Sequence, residues 1–190
     1  MKLGPRSTLV DVVMTVGEAL HTAGLKAVLT GGACANFYTA GAYTSMDADF
    51  VLTGVVTQSA LDKAMGEIGF VRVRDHFEHA SAKFIVEFPK GPLAIGSDHA
   101  LKPRRESRKN GQVRLLSPTD SCRDRLAQFY FWKDRQGLKT AVEVALHRKV
   151  GIARIRQWST EENCLPQFLE FQAALRTARA SARHAASRMR

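Results

Sequence analysis

The sequence predicts an α/β fold in which a mixed sheet flanked by helices is followed by a helical C-terminal part. Three observations predict it. Short β-rich runs alternate with segments of helical period through the first half, glycines stand at the junctions, and beyond Ser117 the apolar residues keep a helical period alone. The chain divides accordingly into an α/β unit over residues 1–116, a helical part over 117–175 and a basic tail over 176–190 that need not be ordered. At 190 residues it can bury one core with an appendage, not two large domains.

Ser7 is placed to cap a helix running to about Ala23, in which Leu9, Val12, Val13, Val16 and Leu20 recur at helical spacing and Gly24 supplies a stop. Leu25 to Thr30 reads as a short buried strand ending at Gly31-Gly32, and Ala33 to Thr39 as a brief helix closed by Gly41. Met46 to Leu52 is a second strand. Thr57 opens a helix that carries Leu61, Ala64, Met65 and Ile68 before Gly69 ends it. Phe70 to Arg74 and Ala82 to Phe88 add strands. From Gly96 to Gly111 the composition turns to Ser, Asp, Pro, Lys and Arg, which predicts a long exposed loop ahead of a strand at Val113 to Leu116. Ser117-Pro118-Thr119-Asp120 then marks a helix start, with a capping hydroxyl, proline at the first helical position and an acid in the first turn. Leu126, Phe129, Tyr130, Trp132 and Leu138 supply the apolar side of this helical region, and Ala141, Val144, Ala145 and the segment from Ile152 continue it.

A hydrophobic share of 45% and a charged share of 24% are ordinary for a globular chain and argue against wholesale disorder or a fibrous architecture. No apolar run approaches a membrane span, and Gly, Pro and Ser interrupt the N-terminus where a signal peptide would be apolar, so a cytoplasmic protein without a membrane partner is expected. Cys34, Cys122 and Cys164 are far apart and odd in number, which reads as buried free thiols, with neither a disulfide framework nor zinc spacing. The 28 Lys and Arg against 18 Asp and Glu leave a formal charge of +10, which favours a polyanionic partner. The excess gathers at Lys102, Arg104, Arg105, Arg108 and Lys109, and at Arg176, Arg179, Arg183, Arg188 and Arg190. Both segments suit phosphate binding, and the tail reads equally well as a solvated end.

In Val28-Leu29-Thr30-Gly31-Gly32-Ala33 two glycines separate a β-rich run from a helix, where missing side chains let backbone N–H groups approach a triphosphate at the positive helix end. Such a pair also makes ordinary tight turns. More telling is Met46-Asp47-Ala48-Asp49-Phe50-Val51-Leu52: residues two apart on a strand point the same way, so Asp47 and Asp49 project together while Met46, Ala48, Phe50 and Leu52 face the core. Two carboxylates held side by side call for a shared cation, and oxygen ligands beside substrate phosphates suit Mg²⁺. Glu87, the lone acid in Ala82-Lys83-Phe84-Ile85-Val86-Glu87-Phe88, is the candidate third ligand, or else the salt-bridge partner of Lys83 or Lys90. Three such acids would hold two ions, one activating a hydroxyl and one neutralising a triphosphate and its leaving pyrophosphate. His76 and His79 have the wrong spacing for a helical metal pair and read as structural. Phe129, Tyr130, Phe131 and Trp132 could stack a base, and read first as core.

Gly31-Gly32, a short helix, Asp47-Ala48-Asp49 on a strand and Glu87 on a later strand resemble the signature of the nucleotidyltransferase superfamily. The run from Ser117-Pro118-Thr119-Asp120 to Trp132-Lys133-Asp134-Arg135-Gln136 resembles the helices that follow the catalytic strands in AbiEii-like proteins, a group that includes toxins of toxin–antitoxin and phage-defence systems. The resemblance covers roughly residues 25 to 145. It implies a nucleotidyltransferase-type mixed sheet and Mg²⁺-dependent transfer of a nucleoside monophosphate from an NTP to a hydroxyl acceptor, with pyrophosphate released. It further implies an RNA acceptor such as a tRNA 3′ end, a toxin role with an antitoxin protein as partner, and a basic residue on the nucleotide phosphates. That residue would be Arg125, with Lys133 and Arg135 as further candidates, and all three read equally as plain solvent-facing charges. Two positions depart from the pattern: Ala33 follows the glycine pair where many members have serine, and Tyr43 stands where AbiEii-like proteins often have arginine. The rival expectation is a non-catalytic nucleic-acid-binding or antitoxin-like module that keeps the fold; protein hydroxyls and small antibiotics are the other acceptors, the latter calling for an acidic cleft.

Overall fold

The computed structural model describes residues 2–39, 41–43, 45–109 and 111–188. Helix α1 (Leu9–Thr22) starts one residue later than Ser7 would set it: Thr8 is the cap, its hydroxyl accepting from the Asp11 amide while the Asp11 carboxylate accepts from the Thr8 amide. Ser7 instead accepts from the Gly4 amide. Strand β1 (Ala27–Leu29) passes directly into helix α2 (Gly31–Thr39), so the glycine pair forms the first turn of the helix and not a turn ahead of it. Gly31, at φ +66°, takes the left-handed conformation that swings the chain from strand into helix.

Strand β2 (Asp47–Leu52) keeps the predicted alternation from Asp47 to Phe50, with Ala48 and Phe50 buried; Val51 is buried as well and Leu52 only partly so. Met46 departs from expectation: it precedes the strand and is 54% exposed, contributing only its carbonyl, which accepts from the Ile85 amide. Helix α3 (Gln58–Gly66) is capped by Thr57. Strands β3 (Phe70–Val73) and β4 (His76–His79) form an antiparallel hairpin that turns at Arg74, φ +57°. Strand β5 (Ile85–Glu87) runs parallel to β2.

The segment expected to be one long loop contains strand β6 (Arg104–Arg108), paired antiparallel with β7 (Gly111–Leu115). Its sequence Arg-Arg-Glu-Ser-Arg has no apolar alternation because β6 is a sheet edge, where exposed charge discourages pairing with another chain. The seven strands form one mixed sheet in the order β3-β4-β5-β2-β1-β7-β6.

Helix α4 (Pro118–Trp132) is capped by Ser117, as its sequence signature predicts. It turns Cys122, Leu126, Phe129 and Tyr130 inward, but Phe131 and Trp132 lie at its far end, 43% and 70% exposed, and are not core residues. Helices α5 (Arg135–His147), α6 (Ile152–Glu161) and α7 (Leu165–Arg188) complete the chain; residues 176–188, read from sequence as tail, continue α7.

The core is continuous from Val12 and Val16 of α1 through Val28, Leu29 and Leu115 of the sheet to Leu126, Ala141, Trp158, Phe168 and Phe171 of the later helices. A buried cation joins these parts. Arg123, 1% exposed, reaches Asp120 at 2.9 Å and Asp98 at 2.6 Å, and its guanidinium lies 4.9 Å from the Trp158 ring centroid. Cys34, Cys122 and Cys164 are buried free thiols, as their spacing predicts. Among the described residues no helix is long and apolar enough to cross a membrane.

Candidate active site

The parallel register of β2 and β5 sets Asp49 opposite Glu87 and Asp47 opposite Ile85. Because side chains alternate along each strand, the three acids emerge on one face at one end of the sheet. One oxygen from each of Asp47, Asp49 and Glu87 lies within 4.8 Å of the others, and all three residues are half-buried. Among the described residues none of the three forms an ion pair; Lys83, the salt-bridge alternative for Glu87, has its Nζ 5.1 Å from the Phe84 ring centroid. Burial, reinforced by the neighbouring Asp47 and Glu87 carboxylates, pushes the Asp49 carboxyl up to about 6, although Arg125 pulls the other way. Three convergent carboxylates without a protein counter-cation are a donor set that fits a small hard divalent ion such as Mg²⁺.

Gly31 and Gly32 border this cluster. A Cβ at Gly31 would lie 2.1 Å from Asp49 Oδ2, so only glycine permits this approach of helix to strand. A Cβ at Gly32 would lie 2.6 Å from the hydroxyl of Ser45. The Gly31 amide, expected to face a phosphate, donates to Asp124 Oδ2 at 3.2 Å. Among the described residues the Gly32 and Ala33 amides donate to no other group, so they are the open donors at the positive end of α2.

Arg125 comes to the same end of the sheet from α4. Its Nε and Nη2 both donate to Asp124 Oδ2, at 3.1 and 2.8 Å, and its side chain is 14% exposed. Arg135 is elsewhere, paired with Glu170 and laid over Phe129, while Lys133 ends α4 in an exposed position. His76 pairs with Asp75 and Glu78, and His79 Nδ1 accepts from the Ser81 and Ala82 amides, which are structural tasks.

Two residues of this cluster were not singled out from the sequence. Ser45, 6% exposed, donates its hydroxyl to Asp47 Oδ1 at 2.6 Å. Its signal was present, since 45, 47 and 49 keep the two-residue period. Asp124 had none: its partner Gly31 is 93 residues away, and only packing of α4 against α2 brings them together.

No protein-family model matches the chain, and no curated protein matches it in sequence. Solved structures do resemble it. One is the crystal structure of an antigenic nucleotidyltransferase-like protein from Paracoccidioides brasiliensis, 16% identical, covering 74% of this chain and 77% of that one at a TM-score of 0.55. Another is the crystal structure of ANT(2")-Ia in complex with adenylyl-2"-tobramycin, 13% identical, covering 88% of this chain and 99% of that one at a TM-score of 0.51. At such identities the likeness is one of architecture, and the chain has a nucleotidyltransferase-type fold.

Proposed function

We propose that the protein is a Mg²⁺-dependent nucleotidyltransferase that passes a nucleoside monophosphate from an NTP to a hydroxyl and releases pyrophosphate, with RNA, such as a tRNA 3′ end, as the acceptor. The observation that carries this reading is the convergence of Asp47, Asp49 and Glu87 within 4.8 Å, without a protein cation, beside the N-terminal turn of α2, whose Gly32 and Ala33 amides donate to no described group. Asp47 and Asp49 would hold two ions in common, and Glu87 would complete the shell of one. Bound there, Mg²⁺ supplies a lowered pKa for the attacking hydroxyl and neutralisation of the triphosphate. Ser45 orients the Asp47 carboxylate by donating its hydroxyl to Oδ1. The Gly32 and Ala33 amides would donate to phosphate oxygens, with Gly31 keeping the helix close enough to Asp49 for both tasks. Arg125 would add a cation to the phosphates from the helical side, its fork oriented by Asp124.

The +10 charge supports a polyanionic acceptor over a polycationic antibiotic of the kind seen with ANT(2")-Ia, which would call for a carboxylate-rich cleft. The toxin role and an antitoxin partner rest on the AbiEii-like sequence pattern. One observation favours the second reading, a nucleic-acid-binding or antitoxin-like module without catalysis: Asp124 occupies both the Gly31 amide and the Arg125 guanidinium, two groups a triphosphate would use.

Equilibrium binding separates the two. On the transferase reading each NTP is titrated into the protein with and without Mg²⁺, and at least one binds only with the metal; Asp47→Ala abolishes that binding and leaves the circular dichroism spectrum unchanged. Absence of Mg²⁺-dependent binding of any NTP would favour the non-catalytic module.

A further inference from the structure

A groove opens between the N-terminus of α1, the C-terminal half of α2, the segment leading into β5 and the end of β6. Ser45 stands in its wall, and the same hydroxyl donates to Asp47 Oδ1 at 2.6 Å, so one lining residue touches the acidic cluster. Lys83 and Phe84, also in the wall, immediately precede Ile85, the residue paired with Asp47. The lining carries four cations, Arg6, Lys83, Arg108 and Arg148, and a single carboxylate, Asp11, which caps α1. All four cations are exposed, and among the described residues none of them forms an ion pair. Two are held over aromatic faces: Arg108 lies 4.5 Å from the Phe37 centroid and Lys83 5.1 Å from that of Phe84. The wider basic stretch is not equivalent, because Arg104 faces Glu106 at 3.6 Å and does not line the groove.

Unpaired cations, two of them over aromatic rings, along a groove whose wall hydroxyl binds Asp47 match a chain of phosphodiesters whose terminal hydroxyl must reach the acidic cluster. We propose that this groove is the path of a single-stranded RNA acceptor, with its phosphates on Lys83, Arg108 and Arg148 and its terminal hydroxyl at the Asp47 end. The assignment rests on reading Asp47, Asp49 and Glu87 as a nucleotidyl-transfer site. It selects a polyanion and disfavours a polycationic antibiotic, since the lining offers one carboxylate against four cations.

The test is fluorescence anisotropy with a short labelled single-stranded RNA bearing a free 3′ hydroxyl, over a salt series. The parent is compared with Lys83→Gln/Arg108→Gln/Arg148→Gln and with a control of equal charge loss outside the groove, Lys63→Gln/Lys139→Gln/Arg156→Gln. The groove variant should bind about tenfold or more weakly near 0.1 M salt. Its log–log salt dependence should flatten by about 2, from roughly 0.7 per phosphate contact on a single strand. The control should change much less, and both variants should unfold at the parent temperature. Equal weakening in the two variants, or no RNA binding by the parent, overturns the groove. Mg²⁺-dependent NTP binding, measured separately, should survive in the groove variant. Its absence in the parent would remove the transferase reading, while the anisotropy result would still decide whether RNA occupies the groove.

Discussion

Asp49→Asn should stabilise the metal-free protein at neutral pH even though it removes a proposed metal ligand. In the fold the Asp49 carboxyl is pushed from 3.8 to about 6 by burial and by Asp47 and Glu87. A rise of about 2 units corresponds to about 3 kcal/mol of differential interaction, reduced toward about 2 kcal/mol because the residue is only half-buried. The direction follows from proton binding: between the two pKa values the folded chain holds a proton that the unfolded chain has released. Stability therefore falls as pH rises from about 4 to about 6, and the penalty persists above that range. Asparagine keeps the shape without the charge. Its gain should be about 2 kcal/mol at pH 8, or roughly 4–8 °C in midpoint for a chain of this size, shrinking to near zero at pH 4. Thermal unfolding in EDTA across that pH series reads it directly, and adding Mg²⁺ should raise the parent's midpoint but not the variant's. A variant less stable than the parent at pH 8, or a gain that does not change with pH, would refute the electrostatic account of the cluster.

Three further substitutions probe its surroundings. Gly31→Ala places a methyl 2.1 Å from Asp49 Oδ2 at a φ of +66°, so it should cost about 1–3 kcal/mol in urea unfolding and abolish the Mg²⁺-induced rise in midpoint; an unchanged protein would mean that Asp49 yields freely. Arg123→Met leaves Asp98 without its ion-pair partner and Asp120 with Arg154 alone, and should cost about 3 kcal/mol in the same measurement; a loss under 1 kcal/mol would deny the network its structural role. Arg125→Gln should weaken Mg²⁺-dependent NTP binding by about tenfold or more while leaving RNA affinity nearly unchanged, and the reverse pattern would move this arginine from the nucleotide to the acceptor.

What could be read from the sequence was whatever a short-range pattern encodes. Hydroxyl caps at Thr57 and Ser117 located the starts of α3 and α4, and the two-residue period from Asp47 to Asp49 placed both carboxylates on one face before any partner strand was known. Pairing Asp49 with Glu87 depended on the β2–β5 register, which no local pattern sets. Strand β6 was illegible because an edge strand built from arginines has none of the apolar alternation by which strands are recognised. Trp132 went wrong for a related reason: aromatic character suggests burial, but the residue closes its helix at 70% exposure, with no described element covering it. Asp124 shows the limit most clearly, since its occupation of the Gly31 amide and of Arg125 exists only in the packed fold.

If Asp47, Asp49 and Glu87 support nucleotidyl transfer, transfer itself can be measured. Each α-labelled NTP is incubated with the protein, Mg²⁺ and total RNA, and covalently bound label is followed on a denaturing gel, alongside EDTA and Asp47→Asn controls. RNA should be labelled from at least one NTP only when Mg²⁺ is present, with no label in either control. RNA left unlabelled with every NTP, or labelled equally by Asp47→Asn, would contradict that role for the three acids.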